Sequence, residues 1–395
     1  MDYTFSDRVS QLKPSAIREI LKFTSVPGII PFAAGNPAPE AFPVEEIQKL
    51  SQEILSQNPI LALQYSITEG YTPLREHLET YMKQKHNTGR DFDNIIITAG
   101  AQQVMDLSAK ALCNEHDTVI CENPSFIGSL NAFRSYNLKL CGIEVEEDGM
   151  NMEKLEQALK TEQNVRFIYT IPNFQNPSGV TMSFEKRKQM YQLAKKYNVI
   201  IIEDNPYGDI RFSGQDIPTI KSLDEDGIVI YAGSFSKVLS PGLRVGFCIA
   251  PEQIISKLVV CKQVSDVHTG IFNQILAYEF MTRCNYESHL ERIRSIYRHK
   301  ARLMMDLIEQ HLTPYVTYTK VEGGLFTWCR LPDSVDMLQF CKAAIDKGVA
   351  VVPGTAFCMS ADEPSQCFRL NYSTPTDEQI VKGLELLGQT IKSII

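Results

Sequence analysis

The middle of the chain alternates short apolar runs with longer amphipathic segments. Several apolar runs, such as Val199-Ile200-Ile201-Ile202, are hydrophobic at every position rather than at every second one. A strand that is apolar on both faces is buried on both faces, as in a largely parallel sheet covered by helices. The pattern therefore indicates one large α/β domain. Its predicted strands lie at 94–98, 118–122, 138–143, 166–171, 199–203, 228–232 and 245–250, and helices are predicted at 101–112, 152–159 and 183–197.

The pattern changes near residue 286. Apolar residues at three- and four-residue steps predict one long amphipathic helix over 286–311. The segments that follow predict a smaller α+β domain, with strands at 315–320, 324–330, 349–353 and 367–372 and helices at 336–347 and 376–394. Six prolines in the first 44 residues indicate an arm. The predicted division is an arm (1–44) that packs with the small domain, a large domain (45–285) and a small C-terminal domain (286–395).

Composition and charge exclude several classes of protein. The net charge is −8, which makes the chain a poor candidate for binding nucleic acid, since phosphate backbones require clustered positive charge. The ten cysteines contain no C-x-x-C pair, so no zinc site is predicted, and most lie in apolar runs, typical of reduced, buried thiols. No apolar run approaches the roughly 18 residues of a membrane span, and no signal peptide is evident. We therefore expect a cytoplasmic protein without membrane or metal partners.

Four polar segments follow predicted strands. They contain Lys237 with Arg244 seven residues later, Asp204 with Tyr207, the run Asn176-Pro177-Ser178-Gly179, and the run Thr98-Ala99-Gly100-Ala101-Gln102 at a predicted helix start. Each alone has an ordinary explanation: a solvated lysine, a helix N-cap, a turn, or one helix N-terminus among many. Dinucleotide fingerprints, phosphate-binding P-loops and the G-x-S-x-G nucleophile motif are all absent.

Taken together, the four segments are specific, because all should open on the same edge of the sheet. They offer an amine, anion-binding groups, a carboxylate and a neutral amide. That set suits pyridoxal 5'-phosphate (PLP): the amine would bind the aldehyde, the carboxylate would keep the ring nitrogen protonated, and the anion sites would hold the phosphate.

With these four segments, the chain resembles the fold type I PLP-dependent aminotransferases of class I/II. The resemblance is closest to the kynurenine/2-aminoadipate subgroup, which also supplies the effector domain of MocR-type regulators. It extends over nearly the whole chain and depends most on the run Ser234-Phe235-Ser236-Lys237, with Arg244 after it, and on the run beginning at Asn176. The fold it implies is a mostly parallel seven-stranded sheet covered by helices, a small α+β domain and an N-terminal arm.

The resemblance also implies a role for each site residue. Lys237, Asp204 and Tyr207 are the implied catalytic residues. Arg369, with Asn176 and the backbone of Gly35, is implied to bind the substrate α-carboxylate. The implied cofactor-binding residues are Tyr65, Ala101, Gln102, Phe126, Asn176, Asp204, Tyr207, Ser234, Ser236, Lys237 and Arg244.

Within that set, Lys237 would hold PLP and move the α-proton, and Asp204 would pair with the ring nitrogen. Asn176 and Tyr207 would bond the phenolic oxygen, and Phe126 would stack on the ring. Tyr65 would reach the phosphate of the neighbouring subunit. The phosphate would otherwise be bound by Ala101, Gln102, Ser234, Ser236 and Arg244.

Three positions depart from the family pattern: Ala101 replaces a frequent Ser, Phe126 a frequent Tyr and Asn36 a frequent Leu. The implied function is amino transfer from an L-amino acid to a 2-oxo acid by a ping-pong mechanism, in a homodimer with shared active sites. Two alternatives stay open at this point, a PLP-dependent C–S β-lyase and a non-catalytic effector-sensing module.

Overall fold

The large sheet contains eight strands in the order β1-β8-β7-β6-β5-β2-β3-β4. The computed structural model describes residues 3–10, 12, 28–360 and 363–395. Within the sheet, the neighbouring strands β7, β6, β5, β2 and β3 run parallel to one another. Strand β8 is antiparallel to both of its neighbours, β7 and β1. The strands are β1 (Asp93–Thr98), β2 (Thr118–Asn123), β3 (Lys139–Glu146), β4 (Gly149–Met150), β5 (Val165–Thr170), β6 (Ile200–Asp204), β7 (Val229–Ser234) and β8 (Gly246–Pro251).

Two separate hydrophobic clusters cover the two faces of this sheet. Along β5, Phe167 belongs to one cluster and Ile168 to the other, and Val119 and Ile120 divide in the same way along β2. Because successive side chains of a strand point to opposite faces, a strand between two helical layers has to be apolar throughout. This explains why the apolar runs do not alternate.

Helices cover both faces of the large sheet, and the last described helix, Asp377–Lys392, lies near the C-terminus. Two helices, Glu252–Gln263 and Ile271–Arg283, separate the last strand of the large sheet from the long helix Tyr286–His311. None of the helices within the described ranges is both long and apolar enough to cross a membrane. The described helices are Asp7–Ser10, Val44–Gln57, Pro59–Leu63, Thr72–His86, Ala101–Leu112, Ile127–Arg134, Met152–Thr161, Phe184–Tyr197, Glu252–Gln263, Ile271–Arg283, Tyr286–His311, Met337–Asp346 and Asp377–Lys392.

A second, antiparallel sheet follows the long helix. Its four strands, in the order β11-β12-β10-β9, are β9 (Thr317–Tyr318), β10 (Phe326–Arg330), β11 (Val352–Pro353) and β12 (Cys367–Asn371). The end of the arm joins this region, because Ile30 donates to the carbonyl of Gly348 at 2.8 Å and Asn371 donates to that of Phe32 at 2.9 Å. Most of the rest of the arm, including residues 13–27, lies outside the described residues.

The predicted α/β fold is confirmed, with one correction to the strand count. All seven predicted strands of the large sheet are present, but Gly149–Met150 adds an eighth, pairing antiparallel with the end of β3. Two residues are too short to give a periodic signal. The edge strands β9 and β11 are also shorter than predicted, since an edge strand has hydrogen-bonding partners on one side only. The domain boundaries at residues 45 and 286 stay a prediction.

Candidate active site

Twelve of the thirteen predicted site residues line one cavity of about 420 Å³. It opens at the carboxyl ends of the parallel strands, where Asp204 ends β6 and Ser234 ends β7. This is the edge at which α/β sheets bind ligands. The twelve are Gly35, Ala101, Gln102, Phe126, Asn176, Asp204, Tyr207, Ser234, Ser236, Lys237, Arg244 and Arg369.

Asp204 brings an unsatisfied carboxylate oxygen to this cavity. The residue is 4% exposed; its Oδ2 accepts a hydrogen bond of 2.9 Å from the Tyr169 hydroxyl, whereas Oδ1 has no partner among the described residues. Burial raises the pKa of the Asp204 carboxyl to about 7, and the Tyr169 bond opposes that rise. A buried carboxylate with a free oxygen is suited to pair with a cationic N–H donor.

Lys237 follows β7 and its amine is held at the arm. Its Nζ donates to the carbonyl of Gly35 at 2.9 Å. Burial lowers the pKa of the Lys237 ammonium to about 8, and the positive charges of Arg369 and Arg244 lower it further. An amine with a depressed pKa is the form of lysine that can act as a nucleophile or move a proton near neutral pH.

A turn at the start of helix Ala101–Leu112 lies against Arg244. The Arg244 guanidinium donates to the carbonyl of Ala99 at 2.8 Å and contacts the Ser236 hydroxyl at 3.5 Å. Gly100 has a φ of 77°, and a Cβ there would lie 2.5 Å from the guanidinium. The first amides of this helix carry no side-chain cap. Together with the arginine, they suit an anion such as a phosphate.

Arg369 reaches the same cavity from the small sheet. Its guanidinium donates to Asn176 Oδ1 at 2.9 Å and to the carbonyls of Ala33 and Ala34 at 3.0 and 3.2 Å. It packs over the Phe326 ring, 4.1 Å from the centroid. Burial lowers the pKa of the Arg369 guanidinium to about 10, and its Nε has no partner among the described residues. The described residues give this arginine no anionic partner, so it is suited to bind an incoming carboxylate.

Asn176 and Tyr207 lie beside the arginine. Burial raises the pKa of the Tyr207 phenol, and the charge of Arg369 and a hydrogen bond from Asn176 oppose that rise. The turn before Asn176 is fixed by Gln175, whose amide donates to the buried carboxylate of Glu122 at 3.2 Å and to the carbonyl of Pro124 at 2.7 Å. Asn176 is thereby placed at the cavity wall, which Tyr207 also lines.

Sequence reasoning missed two side chains that support these residues, Tyr169 and Phe326. Tyr169 pairs with Ile202 in the neighbouring strand, and Asp204, two residues further on, lies on the same face. Phe326 lies in β10 next to β12, which carries Arg369. Both residues lie in predicted strands, but only the register between strands places them beside their charged partners.

Tyr65 is the one predicted residue that does not line the cavity of its own chain. Its side chain is 82% exposed, and its ring meets that of His268 edge-on at 5.8 Å between centroids. This placement is compatible with a contact to a second subunit, but the role of Tyr65 stays a prediction.

A model of the family "Aminotransferase class I and II" matches residues 27–387. The chain belongs to the class I and II aminotransferases. It is 39% identical to the aromatic-amino-acid aminotransferase 1 of Thermococcus litoralis, over 99% of this chain and 95% of that protein. It is 37% identical to the 2-aminoadipate transaminase of Thermus thermophilus, over 99% of this chain and 97% of that protein.

Among solved aminotransferase structures, that of Pyrococcus horikoshii kynurenine aminotransferase in complex with PMP superimposes with a TM-score of 0.95. The two chains are 38% identical, and the alignment covers 98% of this chain and 97% of that one. The subgroup inferred from the sequence is thus confirmed, and the protein is a PLP-dependent aminotransferase. Its residues fit the cofactor, since the free Oδ1 of Asp204 and the uncapped amides at Ala101 offer partners for a ring N–H and a phosphate.

Proposed function

We propose that this aminotransferase moves the amino group of an aromatic L-amino acid to a 2-oxo acid, at sites shared between two subunits. The observation that carries the proposal is the meeting of Lys237, Asp204 and Arg369 at one cavity. Asp204 and Arg369 each have one buried polar atom, Oδ1 and Nε respectively, that has no hydrogen-bond partner among the described residues. An amine, a carboxylate and a guanidinium would thereby have separate tasks within one site.

The cofactor-binding residues divide by the chemical group they would hold. Asp204 would bind the ring nitrogen, Asn176 and Tyr207 the phenolic oxygen, and Phe126 one face of the ring. When bound, pyridoxal phosphate supplies an aldehyde that takes up the amino group and a ring that withdraws electrons from the substrate α-carbon. The phosphate would be held by Ala101, Gln102, Ser234, Ser236 and Arg244, with Tyr65 of the neighbouring subunit.

Lys237 would move a proton at the substrate α-carbon. The depressed pKa of its ammonium keeps a usable fraction of neutral amine near pH 7 to 8. A positioned general base of this kind contributes roughly 10²- to 10⁴-fold in rate. The carbonyl of Gly35 accepts from the same amine and holds it at the cavity wall. The backbone at Gly35 is further proposed to assist Arg369 and Asn176 in binding the α-carboxylate.

The proposed donor class follows from the cavity wall. The cations lining the cavity in the described part of the chain are Lys237, Arg244 and Arg369, and each already has a proposed task. None is left for a distal carboxylate, whereas Phe326 offers aromatic surface that has no proposed cofactor contact. The Thermococcus relative, named for aromatic amino acids, supports the same donor class.

We also propose that the enzyme is a cytoplasmic homodimer. All ten cysteines are free thiols, which suits a reducing compartment. An exposed apolar surface next to Tyr65 supports a subunit interface. It includes Ile60 and Leu63, which are 74% and 73% exposed.

A panel of amino donors tests the proposed reaction. With 2-oxoglutarate as acceptor, phenylalanine, tyrosine and kynurenine should have the highest kcat/KM, and aspartate the lowest. Faster turnover of aspartate than of phenylalanine would overturn the proposed donor class. Release of pyruvate from cystathionine without any amino transfer would favour the C–S β-lyase alternative.

Chemical trapping tests the role of the lysine separately. Borohydride reduction of the yellow enzyme, followed by peptide mapping, should place the cofactor on Lys237. Lys237→Ala should abolish both the adduct and turnover. An adduct on another lysine would show that the assignment is wrong.

A further inference from the structure

The turn that precedes the proposed phosphate site is held by the side chain of Gln103. Gln103 Oε1 accepts the amide N–H of Ala99 at 2.8 Å, while Arg244 donates to the carbonyl of the same residue at 2.8 Å. Thr98 and Gly100 close the turn from within, through two bonds of 2.8 and 3.0 Å. The first amides of helix Ala101–Leu112 therefore depend on the position of Ala99.

Behind Gln103 lies a fully buried ammonium group. The side chain of Lys262, in helix Glu252–Gln263, has no exposed surface. Its Nζ donates to Gln103 Oε1 at 2.6 Å and to both carboxylate oxygens of Asp266 at 2.9 Å. All three protons of the ammonium are therefore used within this cluster.

The Lys262 ammonium and the Asp266 carboxylate together fix which way the Gln103 amide points. An ammonium only donates, so the oxygen of Gln103 has to face Lys262, and the amide nitrogen donates to Asp266 Oδ2 at 2.8 Å. The same oxygen is then available to accept from Ala99. Without Lys262, Gln103 Oε1 would lose its charged donor, and the position of the amide would depend on its bonds to Asp266 and Ala99 alone.

The cluster also borders the segment proposed to reach the neighbouring subunit. His268, two residues after Asp266, accepts the amide N–H of Ser66 at 3.3 Å and contacts the ring of Tyr65. The buried ammonium is thus linked through Gln103 to one element proposed to bind the phosphate, and through the chain from Asp266 to His268 to the other.

We propose that Lys262 is a positioning residue for the cofactor phosphate, acting through Gln103 on the turn at Ala99. The inference rests on the phosphate role proposed above for Ala101 and Gln102. Burying an ammonium is costly unless it is paired and hydrogen-bonded. Here that pairing holds a glutamine that contacts the turn, and Lys262 does not line the cavity itself.

The test compares PLP with pyridoxal, which has the same ring and aldehyde but lacks the phosphate. Dissociation constants of both are measured on the full-length, cofactor-free enzyme. Lys262→Met should raise the dissociation constant of PLP roughly tenfold, which corresponds to the loss of about one hydrogen bond to the phosphate. The dissociation constant of pyridoxal should change by no more than about twofold. Gln103→Leu should show the same selective loss of PLP affinity, and it is the variant to measure if Lys262→Met does not fold.

Lys110→Met is the matched control. Lys110 contacts Ser265 at 3.4 Å, next to the cluster, and bonds neither Gln103 nor Asp266 in the described chain. Its replacement should leave both constants unchanged. Unchanged PLP binding in both test variants would overturn the proposal, as would an equal loss for PLP and pyridoxal. If the unmodified enzyme itself does not prefer PLP to pyridoxal, the proposed phosphate site is wrong, a result distinct from either of these.

Discussion

Within the described part of the chain, the partners that hold the guanidinium of Arg369 in the cavity are neutral. It bonds one amide oxygen and two backbone carbonyls, and it packs against Phe326 and Phe357 at 4.1 and 5.0 Å. A buried cation without a counter-charge is unfavourable, as its lowered pKa indicates. A substrate carboxylate would supply that missing negative charge, so the unfavourable burial of the unpaired guanidinium in the free site favours binding of the substrate.

Arg369→Ala should therefore lose substrate binding and keep the cofactor. Removing one partner of a buried charged pair costs about 2–5 kcal/mol. This corresponds to a loss of roughly 30- to 4000-fold in kcat/KM for amino acids. The variant should stay yellow and react relatively better with amines that lack the α-carboxylate. Arg369→Lys, which keeps the charge without the bidentate geometry, should recover only part of the loss. Loss of PLP from either variant would show that Arg369 binds the cofactor instead.

The lysine gives a pH-dependent prediction. Because the folded-state pKa of Lys237 is about 8, lowered first by burial, the neutral amine predominates above pH 8 and the ammonium below it. Covalent capture of PLP by the cofactor-free enzyme should therefore slow by about tenfold per pH unit below pH 8. Stopped-flow absorbance across pH 6 to 10 measures it. A rate that stays level down to pH 6 would mean that the amine is not the titrating group.

Asp204→Asn tests the contribution of the negative charge on the Asp204 carboxylate. The change keeps the size of the side chain and can still accept from Tyr169, but it cannot stabilise a cationic ring nitrogen. PLP should still bind, while exchange of the substrate α-proton with solvent should fall by at least about a hundredfold, as expected when a charge-stabilising group is lost. Proton NMR in D₂O follows that exchange. Near-normal exchange would rule out the electron-withdrawing role of the protonated ring.

At the scale of elements, the site is assembled where strand ends meet helix starts. The turn between β1 and helix Ala101–Leu112 depends on Gly100, which combines a positive φ with close approach of Arg244. A glycine tolerates both, because it has no Cβ. The strand order places β8 between β1 and β7, so the residues just before β8 lie beside this turn. Arg244 is two residues before β8 and thereby reaches Ala99.

Gly100→Ala should weaken PLP binding by roughly tenfold or more. The new Cβ would lie 2.5 Å from Arg244 and would displace its guanidinium from Ala99. Gly89→Ala is the control, because Gly89 has a similar positive φ of 93° but nothing within 4 Å of an added Cβ. Both variants carry backbone strain of about 1 kcal/mol or more, so the melting temperature should fall in both. Equal PLP affinity in the two variants would contradict the contact with Arg244.

At the scale of the whole molecule, the site draws on both sheets and on the arm. Asp204 ends one strand of the large sheet and Lys237 follows another, whereas Arg369 lies in the small sheet and Gly35 in the arm. A shift of one sheet against the other would separate the group proposed to bind the α-carboxylate from the groups proposed to bind the cofactor. The role proposed for Tyr65 would extend this dependence to a second subunit.

Leu63→Glu should produce a monomer with little activity. Leu63 is 73% exposed, two residues from Tyr65, and a charge there would disrupt an apolar interface. Leu338→Glu is the control, since Leu338 is equally exposed, at 73%, but lies on a helix of the C-terminal region. Sedimentation velocity gives the assembly state. An active monomer would disprove the shared site.

The sequence by itself determined seven of the eight strands of the large sheet and the polar residues at their ends. Both are local properties: fully apolar runs require burial on both faces, and side chains that follow parallel strands converge at one edge. The family motifs around Lys237 and Asn176 then indicated the cofactor, and with it the class of reaction.

The tertiary structure decided which groups support one another. Arg369 meets Asn176 across 193 positions of sequence, and Lys262 meets Gln103 across 159. Tyr169 reaches Asp204 only through the register of β5 and β6. No local pattern encodes such contacts, because they depend on strand order, on register and on which buried charges find partners when the sheets pack. Burial also sets the pKa values of Lys237 and Asp204, and burial is a property of the folded chain alone.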